Sequence, residues 1–163
     1  MRIPASDRLC ALGTEGSVAY FHIPVLTDIR AGAAYDEWMN RIQRHYLRKL
    51  EPGYTDWAGP LPPAKPLLDI TADEVGTYKD RFLLADRAVL FWDYMRRSMG
   101  RERFDRWVRE VMNAPAMDVQ RFYASIQRHA PRLLADARTW LETLDYPDRL
   151  RRPAQSAKLR PHR

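Results

Sequence analysis

A chain of 163 residues, 45% of them hydrophobic and 29% charged, is long enough to bury a core as one domain without covalent help. Its single cysteine, Cys10, excludes an internal disulfide and fits a reducing, cytoplasmic setting, and no apolar run approaches the ~20 residues of a membrane span. The net charge of +6 is uneven: from Pro147 onward Arg149, Arg151, Arg152, Lys158, Arg160 and Arg163 face only Asp148, so the body is close to neutral.

In chain order, Thr14 to Ala31 reads as a helix bent or ended by Pro24. Ala34 to Leu50 reads as a second, with Trp38, Met39, Ile42 and Tyr46 inward and Arg41, Arg44, Arg48 and Lys49 outward. Residues 51–69 hold five prolines and two glycines in nineteen positions, which predicts a surface connector pinned by Tyr54, Trp57 and Leu61. Leu84, Ala88, Phe91, Trp92, Met95 and Met99 mark an apolar stripe that ends at Gly100, a C-terminal cap. Between Arg101 and Asn113, Phe104, Trp107, Val108, Val111 and Met112 follow the spacing of one buried helix face.

Asp118 is placed to cap the next helix, whose inward face is Val119, Phe122, Tyr123 and Ile126. Leu133, Leu134, Ala137, Trp140, Leu141 and Leu144 form the last, stopped near Pro147. The expected fold is therefore all-α, an irregular bundle of about six helices over residues 1–147. The remainder, 148–163, reads as a basic solvated tail, the part of the chain through which a nucleic acid or another acidic partner would be met.

Most constellations that carry chemistry are missing: there is no glycine-rich phosphate loop, no GxSxG elbow and no CxxC pair. His22, His45, His129 and His162 never occur as HxxxH, the spacing that sets two imidazoles on one helix face. His22 follows Glu15 by seven residues and so shares its face, an incomplete ligand pair; His45, within a basic run, reads as a solvated residue. Cys10 reads as a small core residue. Glu15 at the head of "LGTEGSVAYF" suits a first helical turn, where unpaired N–H groups favour a carboxylate.

The order of three segments carries a more specific signal. "LGTEGSVAYF", "ADRAVLFWDYMRRSMGRERFDRWVREVM" and "FYASIQRHAPRLLADARTWLETLDYP" follow one another as do similar segments of the aminopeptidase N-like (membrane alanyl aminopeptidase) gluzincins. The chain resembles the C-terminal helical part of that thermolysin-like catalytic domain, from about Leu9 to Pro147; the glycyl aminopeptidase-like branch shares the first segment. The resemblance gives Glu15 the position of the third zinc ligand, with Gly16 and Tyr20 in register and Ala11 where a Trp is usual. Gly100 and Phe104 fix the second segment, and Trp140 with Tyr146-Pro147 the third.

The departures decide what the resemblance implies. The family takes two zinc ligands and a general base from HExxH, at a spacing longer than the fourteen residues that precede Glu15, and no such motif follows it. A lone carboxylate fixes no water on zinc. Ala85 stands where the oxyanion-stabilising tyrosine is expected, with Tyr78 seven residues earlier as the substitute, and Arg87 and Ala88 replace Lys and Gly. The expectation is a degenerate or truncated zinc-aminopeptidase relative, a pseudoenzyme, with Glu15 a vestigial zinc ligand and zinc not held by this chain alone.

Two alternatives stand beside it. One is a helical interaction module that uses the tail or an exposed apolar face; the other is one half of a split zinc metallopeptidase completed by a partner with HExxH. The face that would have met the HExxH helix is expected to be apolar near Leu9, Leu12, Val18 and Phe21, and so to favour self-association or a protein partner.

Overall fold

A computed structural model of the chain describes residues 7–13, 20, 32–56, 59–60, 64–77 and 81–153. The fold is all-α. Six α-helices occupy the described residues: α1 (Gly32–Lys49), α2 (Ala72–Thr77), α3 (Arg81–Met99), α4 (Arg101–Asn113), α5 (Val119–His129) and α6 (Leu134–Glu142). Two-residue strands β1 (Thr55–Asp56) and β2 (Gly59–Pro60) make a minimal antiparallel hairpin, with Thr55 opposite Pro60. The predicted helix over Thr14–Ala31 falls almost wholly outside the described residues, as do Trp57 and Leu61 of the connector.

The central element is α3. Its residues Ala88 to Trp92 and Tyr94 and Met95 are buried in succession, so this stretch is covered on every side and lies at the middle of the bundle. One flank packs on α1 and another on α4, which in turn packs on α5. Phe91, Trp92, Phe104, Trp107 and Phe122 interlock there, with Trp92 and Trp107 5.5 Å apart and Trp107 and Phe122 5.6 Å apart. Trp107 donates from Nε1 to Ser125 Oγ at 3.0 Å, and Ser125 donates onward to the Phe122 carbonyl, so these two buried groups satisfy each other.

Local chemistry sets the helix ends. Gly100 does two jobs: its N–H closes α3 on the Arg96 carbonyl, and its own carbonyl accepts from Phe104 to begin α4. It does so at φ 77 and ψ 154, a region that costs a side chain-bearing residue about 1–3 kcal/mol. Asp118 accepts from the Arg121 N–H at 2.8 Å and starts α5, and Pro131 forces the single 3-10 turn Pro131–Leu133 before α6. α2 has no counterpart in the periodicity reading. It rests on a capping box in which Thr71 N–H donates to Glu74 at 3.0 Å and Glu74 N–H donates back to Thr71 Oγ1 at 3.3 Å.

Three sequence expectations change, those for Trp38, Lys49 and Leu144, and the connector gains anchors. Trp38 is 46% exposed, because the stripe of α1 that meets α3 runs Tyr35, Met39, Ile42, Tyr46, Lys49 and leaves residue 38 to one side. The same stripe carries Lys49 inward, to 7% exposure. The connector over 51–69 is anchored by Leu67 and Leu68, both buried in a 3-10 turn that packs on α6. Leu144 lies beyond the end of α6 and is exposed.

The boundary at residue 147 also runs through the folded body. Leu150 is fully buried and Arg152 nearly so, and residues 154–163 lie outside the described part. The expected apolar face likewise differs: Leu9 and Leu12 are each 1% exposed within the core and present no surface, while Val18 and Phe21 lie outside the described residues.

Candidate functional site

Because the middle of α3 is buried all round, its three buried charged residues Asp86, Arg87 and Asp93 must find partners inside the protein. Asp86 and Asp93 are seven positions apart and share the face toward α1, and the pairings show that the two helices run antiparallel. Near the end of α1, His45 Nδ1 lies 3.0 Å and Lys49 Nζ 3.6 Å from Asp86 Oδ2. Near its start, Asp93 is surrounded by donors.

Asp93 has no exposed surface and is the hub of the more elaborate cluster. Its Oδ1 accepts from Tyr35 Oη at 2.8 Å and from Arg152 Nη1 at 2.6 Å, and its Oδ2 accepts from Arg97 Nε at 2.8 Å. Arg152 arrives from the segment after α6. Its Nη2 donates to Asp36 and its Nε to Asn40 Oδ1 at 3.1 Å, while Gln43 receives the Arg152 backbone N–H at 2.7 Å. Residues 36, 40 and 43 lie on one stripe of α1, so a single helix face presents three acceptors in line. Tyr20 joins the other side, its hydroxyl 3.0 Å from that of Tyr35 and its ring edge-on to Phe104.

The electrostatics follow from burial first. Desolvation pushes the Tyr20 hydroxyl up to about 12, and pushes Tyr35 further, with the negative Asp93 adding to the effect. Burial works against the Arg152 charge, yet the pull of Asp93 and Asp36 outweighs it and holds the guanidinium more firmly protonated than usual. Elsewhere, burial and the bond to Asp136 push Tyr94 to about 12. A tyrosine raised in the folded state keeps its proton while the unfolded chain loses it near 10.0, so its stabilisation is complete below that pH and is lost as pH rises through the folded value. The midpoint of urea unfolding should therefore be flat up to pH 10 and fall steeply between pH 10 and about 12. Tyrosinate absorbance that rises near pH 10 with no loss of the midpoint would overturn this.

Arg87 makes a second closed site. Its guanidinium donates to the carbonyls of Trp140 at 3.1 Å, Thr143 at 2.6 Å, and Thr139 and Asp145 at 3.3 Å, and to Tyr46 Oη at 2.5 Å. It lies 5.4 Å above the Trp140 ring. This is a side chain capping the C-terminal end of α6, where a cation also meets the negative end of the helix dipole.

The sequence-predicted residues are distributed differently. Glu15, His22, Tyr78 and His162 lie outside the described residues. Cys10 is buried in the core and its thiol faces the Ile70 carbonyl at 3.2 Å. His45 is bound to Asp86 rather than simply solvated, and His129 Nε2 lies 2.6 Å from Glu110, whose carboxyl this bond, with Arg128, holds below the usual range. Ala85 is half-buried on α3 and offers no hydroxyl. Three cations of the expected tail are engaged internally: Arg149 with Asp136, Arg151 with Asp148, and Arg152 with Asp93 and Asp36.

Among the described residues no three His, Cys, Asp or Glu side chains converge as a ligand set, and three protein ligands are what a catalytic zinc site uses. No helix among them is long and apolar enough to cross a membrane. The network around Asp93 is closed, with donors and acceptors satisfying one another, and its chemistry is the orientation of a guanidinium between two carboxylates and an amide. Open clefts lie elsewhere, one of ≈ 330 Å³ at the α3–α4 junction beside Arg101, Arg103 and Arg106 and one of ≈ 390 Å³ beside Asp145 and Arg149. Comparison with protein-family models, curated proteins and solved structures found no match to this chain.

Proposed function

We propose that this chain is a non-catalytic relative of the zinc aminopeptidases, in which the helical part of that catalytic architecture persists as a packing scaffold. The observation that carries the reading is the use made of the residues on which the resemblance rests. Gly100 is the joint between α3 and α4, Phe104 and Trp140 are 2% and 0% exposed in the aromatic core, and the Tyr146 ring packs tilted against Trp140 at 4.9 Å. Each of these serves the fold. The position expected to stabilise an oxyanion holds Ala85, and Arg87, at the place of the family lysine, is fully occupied with carbonyls. Scaffold positions are kept, and positions that would act on a substrate are not.

The test is metal content and peptidase activity on the purified full chain. After equilibration with zinc and dialysis, the metal should be far below one equivalent, and aminoacyl-anilides should not be cleaved above buffer. Cleavage that is lost on chelation and in Glu15→Ala would overturn the proposal, and cleavage gained on mixing with a polypeptide that carries HExxH would replace it with the split-enzyme reading.

A further inference from the structure

The Arg152 cluster has the composition of a receptor for one chemical group. The three kinds of nitrogen of a guanidinium each meet a different acceptor: Nη1 meets Asp93, Nη2 meets Asp36 and Nε meets Asn40. The Tyr35 ring lies 5.9 Å from the guanidinium carbon. A planar fork satisfies all three acceptors at once, whereas an ammonium is a point charge that cannot. The receptor side is built on helices and braced without Arg152, since Asp93 is also held by Tyr35 and Arg97, and Tyr35 by Tyr20. Asp93 has no contact with water, and Arg152 brings its Oδ1 a cationic partner to match Arg97 on Oδ2; Arg96, 4.9 Å over the Tyr35 ring, and the half-exposed Asp36 complete the charges of the cluster.

The arginine comes from a short strap. After Pro147, the turn Asp148–Leu150 plugs Leu150 into the core, and the Leu150, Arg151 and Arg152 N–H groups bond to Pro147, Asp148 and Gln43. We propose that the groove between the start of α1 and α3 is a guanidinium-binding site in its own right, filled in cis by Arg152, and that its occupancy locks residues 146–153 onto the bundle. The ligand class is an alkylguanidinium, of which the arginine side chain is the natural case. The proposal is independent of the ancestry argued above.

Amide hydrogen exchange of the peptide spanning 146–153 in the full chain tests it. Arg152→Ala should speed exchange of the strap amides about 10-fold or more, with α4 and α5 unchanged. Millimolar ethylguanidinium should return protection to the strap of Arg152→Ala and leave the wild-type strap unaltered, and ethylammonium should do much less. Wild-type protection in Arg152→Ala, or a strap indifferent to ethylguanidinium, would overturn the proposal. If Arg152→Ala exchanges throughout, Arg152→Lys decides: selective loss of strap protection supports a fork-specific site, and full protection by the lysine refutes it.

Discussion

Asp93→Asn is expected to destabilise the fold by about 3–5 kcal/mol, the cost of breaking a buried ion pair by removing one partner. Asparagine keeps one acceptor but turns an NH2 group toward donors that are already there, and it leaves Arg152, with a side chain 6% exposed, facing no charge inside the groove except Asp36. Arg97 is the less affected partner, since its side chain is 31% exposed and can turn to water. For a chain of this size the change corresponds to a fall in Tm of roughly 6–20 °C. The same physics makes a second claim: Asp93→Leu combined with Arg152→Met should cost less than Asp93→Asn alone, because the penalty lies in the unpaired charge rather than in the lost attraction. Urea or thermal unfolding of the two variants beside wild type checks both. A single-variant loss below about 1 kcal/mol would mean that water reaches Asp93 after all.

The residues that set this cost show what sequence reading can and cannot reach. Helix α4 was legible to the residue, because Phe104, Trp107, Val108 and Val111 repeat at helical spacing and all four are buried. The start of α5 was legible because Asp118 is a capping residue by chemistry and does cap. The capping box Thr71-Ala72-Asp73-Glu74 carried an equally local signal for α2, hidden by the proline-rich composition before it. Trp38 and Lys49 were misassigned for a different reason: on a helix with apolar and basic residues on adjoining stripes, the side that turns inward depends on what α3 offers, and α3 offers Asp86.

The Asp93 cluster depends on more distant information still. It joins residues 36, 93 and 152, and no local pattern states that an arginine in a basic C-terminal run will cross to an aspartate 59 positions earlier. The sign that was present is the acid itself, set within the apolar run Val89 to Met95, where an unpaired carboxylate would be prohibitive. Charge counting treated Arg149, Arg151 and Arg152 as tail, although each has a carboxylate partner in the fold. Of the residues proposed from family resemblance, Glu15 and Tyr78 lie outside the described part, so the resemblance is tested by zinc and substrate rather than by geometry.

Arg87→Met should lower stability by about 3 kcal/mol or more, and Arg87→Lys should recover little of that loss. The residue is 3% exposed, and its partners are the carbonyls of Thr139 and Trp140 in the last turn of α6 and of Thr143 and Asp145 just past it, of which Thr139 also accepts from Thr143 Oγ1 at 2.9 Å. Methionine fills the volume between Tyr46 and Trp140 but donates nothing, so the carbonyls at the end of α6 must find water or stay unpaired, and Tyr46 Oη loses its 2.5 Å contact. Lysine retains the charge that suits a helix C-terminus, yet an ammonium cannot reach carbonyls spread over the last turn and the following bend. The loss should be local as well as global, with α6 and residues 143–146 exchanging amide protons faster than α4 and α5 in either variant. An Arg87→Lys protein as stable as wild type would show that charge at the helix end suffices and that the fork of bonds contributes nothing.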